Sequence, residues 1–253
     1  MRVIHMLKRI ILFICLFPIP TSVLAGEEIV KIDTRPGVTL NLLIASPETT
    51  TDKALIMFPG GSDYNQFESF EGLISKGNNF LVRTSTDFAK KGLLAVVVDS
   101  PSDRHRQGMD DDFRTSKAHL QDITKVVEYL TAKGYKSIYL VGTSRGTISV
   151  AYIGAELKHS NIAGLILTST MRYSQFLGWM PLNKITCPVL IVHHREDECK
   201  SCPFSEAAGM VNVFKNSPRV DFEGVYGGSY PQSGPCGPLS ALIASCVYSW
   251  PSG

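Results

Sequence analysis

Residues 137–150 read SIYLVGTSRGTISV. The apolar run Ile138-Tyr139-Leu140-Val141 has the length and composition of a buried strand. It enters Gly142-Thr143-Ser144-Arg145-Gly146, and helix-compatible residues follow directly. The order is strand, sharp turn, helix, with a serine at the apex. This is the G-x-S-x-G pattern, whose glycines let neighbouring backbone approach a strained turn. Ser144 is therefore a candidate nucleophile. The helix start behind it offers unpaired N–H groups and a positive dipole end, and both favour a developing oxyanion. The alternative is a plain tight turn whose serine caps the helix.

Outward from this stretch, strands and helices alternate. Glu28 to Asp33 and Val38 to Ala45 read as β segments joined by Arg35-Pro36-Gly37. Ala54 to Phe58 is a short apolar run ending in Pro59-Gly60-Gly61-Ser62, and residues 63–78 read as a loop. A helix is expected from Asn79 to Lys90, stopped at Gly92, then a strand over Leu93 to Val98. Residues 100–113 are charged and loop-like. Thr115 to Lys133 places Leu120, Ile123, Val126, Val127 and Leu130 at the spacing of an amphipathic helix. Further strands are expected over Ile162 to Leu167, Val189 to Val192 and Val220 to Val225, with helices over Phe204 to Phe214 and Leu239 to Trp250. This alternation implies an α/β fold, one domain with a mostly parallel sheet covered on both faces.

The chain has 253 residues, 44% of them hydrophobic, and a net charge of +2, so bulk charge implies no nucleic-acid partner. Arg2, Lys8 and Arg9 precede the apolar stretch Ile10 to Phe17, and Val23-Leu24-Ala25 suits a signal-peptidase site. Cleavage after Ala25 is expected, leaving residues 26–253 as the mature domain, exported to a periplasm or beyond. Loss of those three basic residues leaves 22 basic against 23 acidic, a mature charge of −1. The apolar stretch is too short to span a bilayer, and no stable membrane anchor is expected after cleavage.

Five cysteines remain after cleavage: Cys187, Cys199, Cys202, Cys236 and Cys246. An oxidising compartment predicts disulfides, and the odd count leaves at least one free or intermolecular thiol. Cys199-Lys-Ser-Cys202 is a C-x-x-C, but no second pair and no H-x-x-x-H completes a metal set. No cofactor and no metal are expected.

Taken together, the Gly142-Thr143-Ser144-Arg145-Gly146 elbow, the Pro59-Gly60-Gly61 turn and an acid-bearing turn after a late strand resemble the α/β-hydrolases. The likeness covers nearly the whole mature chain. It is closest to small exported bacterial serine hydrolases with V-G-T-S-R-G at the elbow. The resemblance implies hydrolysis of an ester or related acyl bond of a small molecule, and the short Thr168 to Lys184 segment leaves no room for a large cap domain. Ser144 would be the nucleophile. Asp197, in Val192-His193-His194-Arg195-Glu196-Asp197-Glu198-Cys199, would be the acid, with Glu196 and Glu198 its competitors. The backbones of Arg145 and Gly61, or next Ser62, would form the oxyanion hole.

The same resemblance exposes a gap. The histidines are His5, His105, His119, His159, His193 and His194, so none follows Asp197. In the family the base sits near the C-terminus, where Leu242 or a close neighbour stands here. Three explanations remain open: a hydrolase crippled by an altered C-terminal segment, a substitute histidine among His119, His193 and His194, or a non-catalytic binding protein on the hydrolase fold.

The resemblance also suggests a Cys199–Cys236 disulfide tying the acid loop to the base loop, worth roughly 3–4 kcal/mol in a chain-entropy model. Cys202 is the competing partner. Cys187, beside Pro188 at a strand entrance, reads as a buried small residue. Thr168 to Lys184, the usual cap position, carries Met171, Tyr173, Phe176, Leu177, Trp179 and Met180, which suit an apolar pocket and core packing equally. Arg145 could meet an anionic substrate or form a surface salt bridge.

Overall fold

A computed structural model describes residues 26–61, 67–70, 73–197, 199–227 and 250. The expected signal segment, Ser62, Glu198, Cys236, Leu242, Cys246 and all of the expected terminal helix except Trp250 lie outside the described residues.

The chain opens with an antiparallel hairpin, β1 (Gly26–Arg35) and β2 (Val38–Ser46). Gly37 closes it with φ +73°, a conformation that glycine adopts freely. β3 (Lys53–Phe58) follows, then a short hairpin of β4 (Glu68–Phe70) and β5 (Leu73–Ser75). Next come α1 (Phe80–Arg83), α2 (Ser85–Lys90) and β6 (Leu94–Val98). After a 3-10 turn at Ser102–Arg104, the short α3 (Asp111–Arg114) precedes α4 (Lys117–Ala132). β7 (Ser137–Ser144), α5 (Gly146–Glu156), β8 (Ile162–Thr170), β9 (Val189–His194), α6 (Phe204–Gly209) and β10 (Val220–Val225) complete the described chain.

Eight strands form one sheet in the order β1-β2-β6-β3-β7-β8-β9-β10. β1 and β2 pair antiparallel, as do β2 and β6, and all later pairings are parallel. The parallel strands read as unbroken apolar runs because both faces are covered. On one face Ile56, Val96, Leu140 and Ile191 pack with Ile123, Val127 and Leu130 of α4 and Ile148 and Ile153 of α5. On the other, Leu55, Val97, Val141 and Val192 pack with Phe80, Leu81 and Phe88 of α1 and α2. α4 starts where Ser116 accepts a bond from His119 N at 3.1 Å, an N-cap that ends the preceding loop.

Several expected boundaries are corrected. Residues 63–78 are not simply a loop, since β4 and β5 lie within them. The helix expected over Asn79 to Lys90 is broken at Thr84, whose hydroxyl donates to Phe80 O at 2.9 Å in competition with continued winding. The stretch read as a charged loop holds α3. Phe204 to Phe214 is helical only to Asn212, its last turn being 3-10. β8 and β9 outrun their apolar cores, to Thr170 and His194, because buried polar residues continue the ladder.

Candidate active site

Ser144 ends β7 with φ +50°, a left-handed conformation that costs an ordinary side chain about 1–2 kcal/mol. Close packing fixes it there. A Cβ on Gly146 would stand 1.9 Å from the Phe58 carbonyl oxygen, and one on Gly142 would stand 2.5 Å from that of Gly146. A Cβ on Gly60 would meet Ser144 Cβ and Thr143 O, both at 2.9 Å. Glycine at these three positions lets β3, the turn and the first turn of α5 touch backbone to backbone. Thr147 donates its hydroxyl to Ser144 O at 2.6 Å and accepts Met171 N at 3.2 Å.

A cavity of about 90 Å³ opens above the serine, with Gly60, Gly61, Ser144, Asp197, Cys199 and Cys202 in its lining. The serine, acid and loop expected from sequence therefore share one site. Gly61 has φ +82°. Arg145 is the first-turn flank of α5, and its side chain turns away to Asp111 Oδ1 at 2.9 Å. The salt-bridge reading of Arg145 is the one its side chain follows. A larger, mostly apolar cavity, about 340 Å³, lies apart from Ser144 at Gly26, Ala45, Thr86 and Ala89.

Asp197 Oδ1 accepts Cys199 N at 2.9 Å, while Oδ2 lies 3.3 Å from His193 Nε2. Glu196 beside it is exposed. His193 is wholly buried and also places Nε2 2.9 Å from Cys202 O, and its Nδ1 has no partner among the described residues. His194 accepts Glu196 N on Nδ1 at 3.1 Å, so its Nε2–H donates to Gly227 O at 2.9 Å. His119 sits in the core against the rings of Phe58 and Phe113, and burial pushes its pKa down to about 3. Among the described residues no histidine bonds to Ser144.

The serine hydroxyl instead touches sulfur. Met171 Sδ and Cys202 Sγ each lie 3.7 Å from Ser144 Oγ, and 3.8 Å from one another. Cys202 is a buried free thiol whose pKa burial pushes up to about 11, against a smaller lowering by its contact with Ser144. It is thus free of the pairing in which it competed with Cys236 for Cys199. Cys187 is also a free thiol, but half-buried rather than buried as expected, and its carbonyl accepts the Ser217 hydroxyl at 2.9 Å. In the cap position Met171, Leu177 and Met180 are buried core residues, Tyr173 and Phe176 are half-buried, and Trp179 is 64% exposed.

Sequence reading did not single out Met171 or Cys202 as neighbours of the serine, nor Arg114. The Arg114 guanidinium, 2% exposed, donates to the carbonyls of Met109 (2.9 Å), Pro59 (3.0 Å) and Gly61 (3.1 Å) and to Ser149 Oγ (3.0 Å). Its acceptors are mostly backbone and distant in sequence, so no motif announces them. Among the described residues no cluster of three potential ligands could hold a metal ion, and no helix is long and apolar enough to cross a membrane.

The sequence matches no protein-family model. No curated protein matches it either. Solved structures do. An α/β serine hydrolase homologue from Coxiella burnetii is 23% identical, with TM-score 0.58 over 80% of this chain and 88% of that one. Est1E from Butyrivibrio proteoclasticus, solved with ferulic acid, is 19% identical, with TM-score 0.58 over 88% and 98%. The Thermogutta terrifontis esterase Est2, solved with propionate, is 17% identical, with TM-score 0.57 over 90% and 92%. Likeness at such identity concerns architecture, and with the eight-stranded sheet and its flanking helices it settles one point: the chain has the α/β-hydrolase fold.

Proposed function

We propose that this protein is a serine hydrolase acting on an ester or related acyl bond of a small molecule. The observation that carries the reading is Ser144, held at φ +50° between β7 and α5 and sharing one cavity with Asp197 and Gly61. In this reading Ser144 Oγ attacks the acyl carbonyl carbon. The carbonyl oxygen becomes an oxyanion received by the backbone N–H groups of Arg145 and the Gly61 loop. The serine proton passes to solvent as Oγ attacks. Collapse of the intermediate breaks the acyl C–O bond and expels the alkoxide, which takes a proton from water. The acyl-serine left behind is hydrolysed by water to the acid and free Ser144. Asp197 is the acid of the site. In this reading the base is defective or non-standard, since no histidine bonds to Ser144 among the described residues; a defective base would slow turnover by several orders of magnitude, with residual catalysis from the oxyanion hole and binding. Export after cleavage at Ala25 and a Cys199–Cys236 disulfide belong to the same reading. The free thiol of Cys202 supports that pairing by removing the competitor.

A second reading is a binding protein on the hydrolase fold. It is favoured by the Ser144 hydroxyl having two sulfurs, and no imidazole, as its side-chain neighbours among the described residues. A fluorophosphonate probe separates the two. Labelling that maps to Ser144 and is lost in Ser144→Ala supports the hydrolase. A folded protein that takes no label supports the binder.

A further inference from the structure

The α3 turn touches both halves of the oxyanion site. From its first residue, Asp111 Oδ1 holds the Arg145 guanidinium at 2.9 Å. From its last, Arg114 reaches Pro59 O and Gly61 O at 3.0 and 3.1 Å and Ser149 Oγ of α5 at 3.0 Å. The turn itself is stiff. Asp110 caps it by accepting Phe113 N at 2.8 Å, and Phe113 is buried with its ring 5.4 Å from that of His119.

Arg114 is an unusual buried cation. Among the described residues its direct partners are all neutral, and burying a charge without a carboxylate in contact is costly. The arrangement makes sense if the guanidinium acts on the loop it grips. The Pro59 and Gly61 carbonyls stand on either side of the Gly60–Gly61 peptide unit, which carries the Gly61 N–H, so the two bonds clamp that donor's unit from both ends.

We propose that the Asp111–Arg114 turn is a strut that sets the spacing and orientation of the two oxyanion donors, with Arg114 as a positioning residue for the Gly61 loop. The inference rests on the hydrolase reading and deepens it. Arg114 touches neither the nucleophile nor, in this scheme, the substrate. Its removal acts on the step in which negative charge develops and leaves ground-state binding alone.

The test measures p-nitrophenyl acetate hydrolysis and fluorophosphonate inactivation in the purified protein, with thermal melts alongside. Arg114→Met is expected to lower kcat and the limiting inactivation rate by about thirtyfold or more, with KM and the probe's KI unchanged within about twofold. Arg114→Lys, which keeps the charge but not the forked geometry, is expected to recover part of that loss. Rates within about threefold of wild type in a folded Arg114→Met, or KM rising in step with the fall in kcat, overturn the strut. If Arg114→Met does not fold, Asp111→Ala and Ser149→Ala each remove one tether while Arg114 stays. A fall of about fivefold in kcat at constant KM in either supports the proposal, and wild-type kcat in both overturns it. A wild-type protein that neither turns over the ester nor takes the probe overturns the hydrolase function and the strut together. A reactive wild type with indifferent variants overturns the strut alone.

Discussion

The Cys202 thiol lies 3.7 Å from the Ser144 hydroxyl, and the carbonyl of the same residue lies 2.9 Å from the buried Nε2 of His193. One residue thus stands between the serine and the imidazole that faces Asp197. With its pKa pushed up to about 11 by burial, the thiol is protonated at neutral pH and cannot take a proton from the serine. Cys202→Ala should therefore change kcat/KM by less than about threefold while costing about 1 kcal/mol of stability through lost packing. In the native protein at pH 8, iodoacetamide should alkylate Cys202 about a hundredfold more slowly than an unperturbed thiol. Rapid alkylation, or loss of activity in Cys202→Ala, would count against a spectator thiol.

The pH profile reports what activates the serine. In the defective-base reading the serine proton leaves to solvent hydroxide. The value of kcat/KM should then climb about tenfold per pH unit from pH 6 to 9, with no inflection near the ordinary histidine pKa of about 6.5. A profile whose shape changes in His193→Asn would instead assign the base to the buried imidazole.

Gly60→Ala tests the backbone contact beneath the nucleophile. The added methyl would lie 2.9 Å from Ser144 Cβ and from the Thr143 carbonyl, so the loop or the elbow must move. Destabilisation of about 1–3 kcal/mol is expected, together with at least a tenfold loss in fluorophosphonate labelling. Gly209→Ala, whose Cβ would meet nothing within 4 Å, is the control and should leave labelling intact.

His119 makes stability depend on acid. Its folded-state pKa of about 3 lies below the ordinary value of 6.5, so below pH 6.5 the unfolded chain binds the proton and the fold does not. The histidine's contribution is fully present above pH 6.5 and is lost as pH falls toward 3. The slope of about 1.4 kcal/mol per pH unit predicts a loss of about 2 kcal/mol between pH 7 and pH 5. Urea unfolding at the two pH values should show this in the wild type and markedly less of it in His119→Leu. Equal slopes in both proteins would refute the assignment.

The elbow was legible in the sequence because all its signals are local. A strand of apolar residues, glycines on both sides of a serine and a helix behind them must lie next to one another in the chain. That Asp197 lines the same cavity as Ser144 was legible from its place after β9. The break at Thr84 was not, since it depends on a hydroxyl bonding back to Phe80 where nothing in the hydrophobic spacing changes. Arg114 was hidden more deeply. Its acceptors at Pro59 and Gly61 are carbonyls, which every residue carries, so no choice of side chain marks them 55 and 53 positions away. The sulfur neighbours of Ser144 were hidden for a related reason: Met171 and Cys202 read as core by composition, and only the folded chain turns them toward the hydroxyl.

The left-handed backbone at Ser144 has a consequence for the history of the chain. Glycine would adopt φ +50° there without steric penalty, so one substitution, Ser144→Gly, is open that should raise the melting temperature relative to Ser144→Ala. A lineage drifting under selection for folding alone would tend toward that substitution. The melting-temperature gap between the two variants measures how strongly the backbone at this apex favours a residue without a Cβ over one that has it.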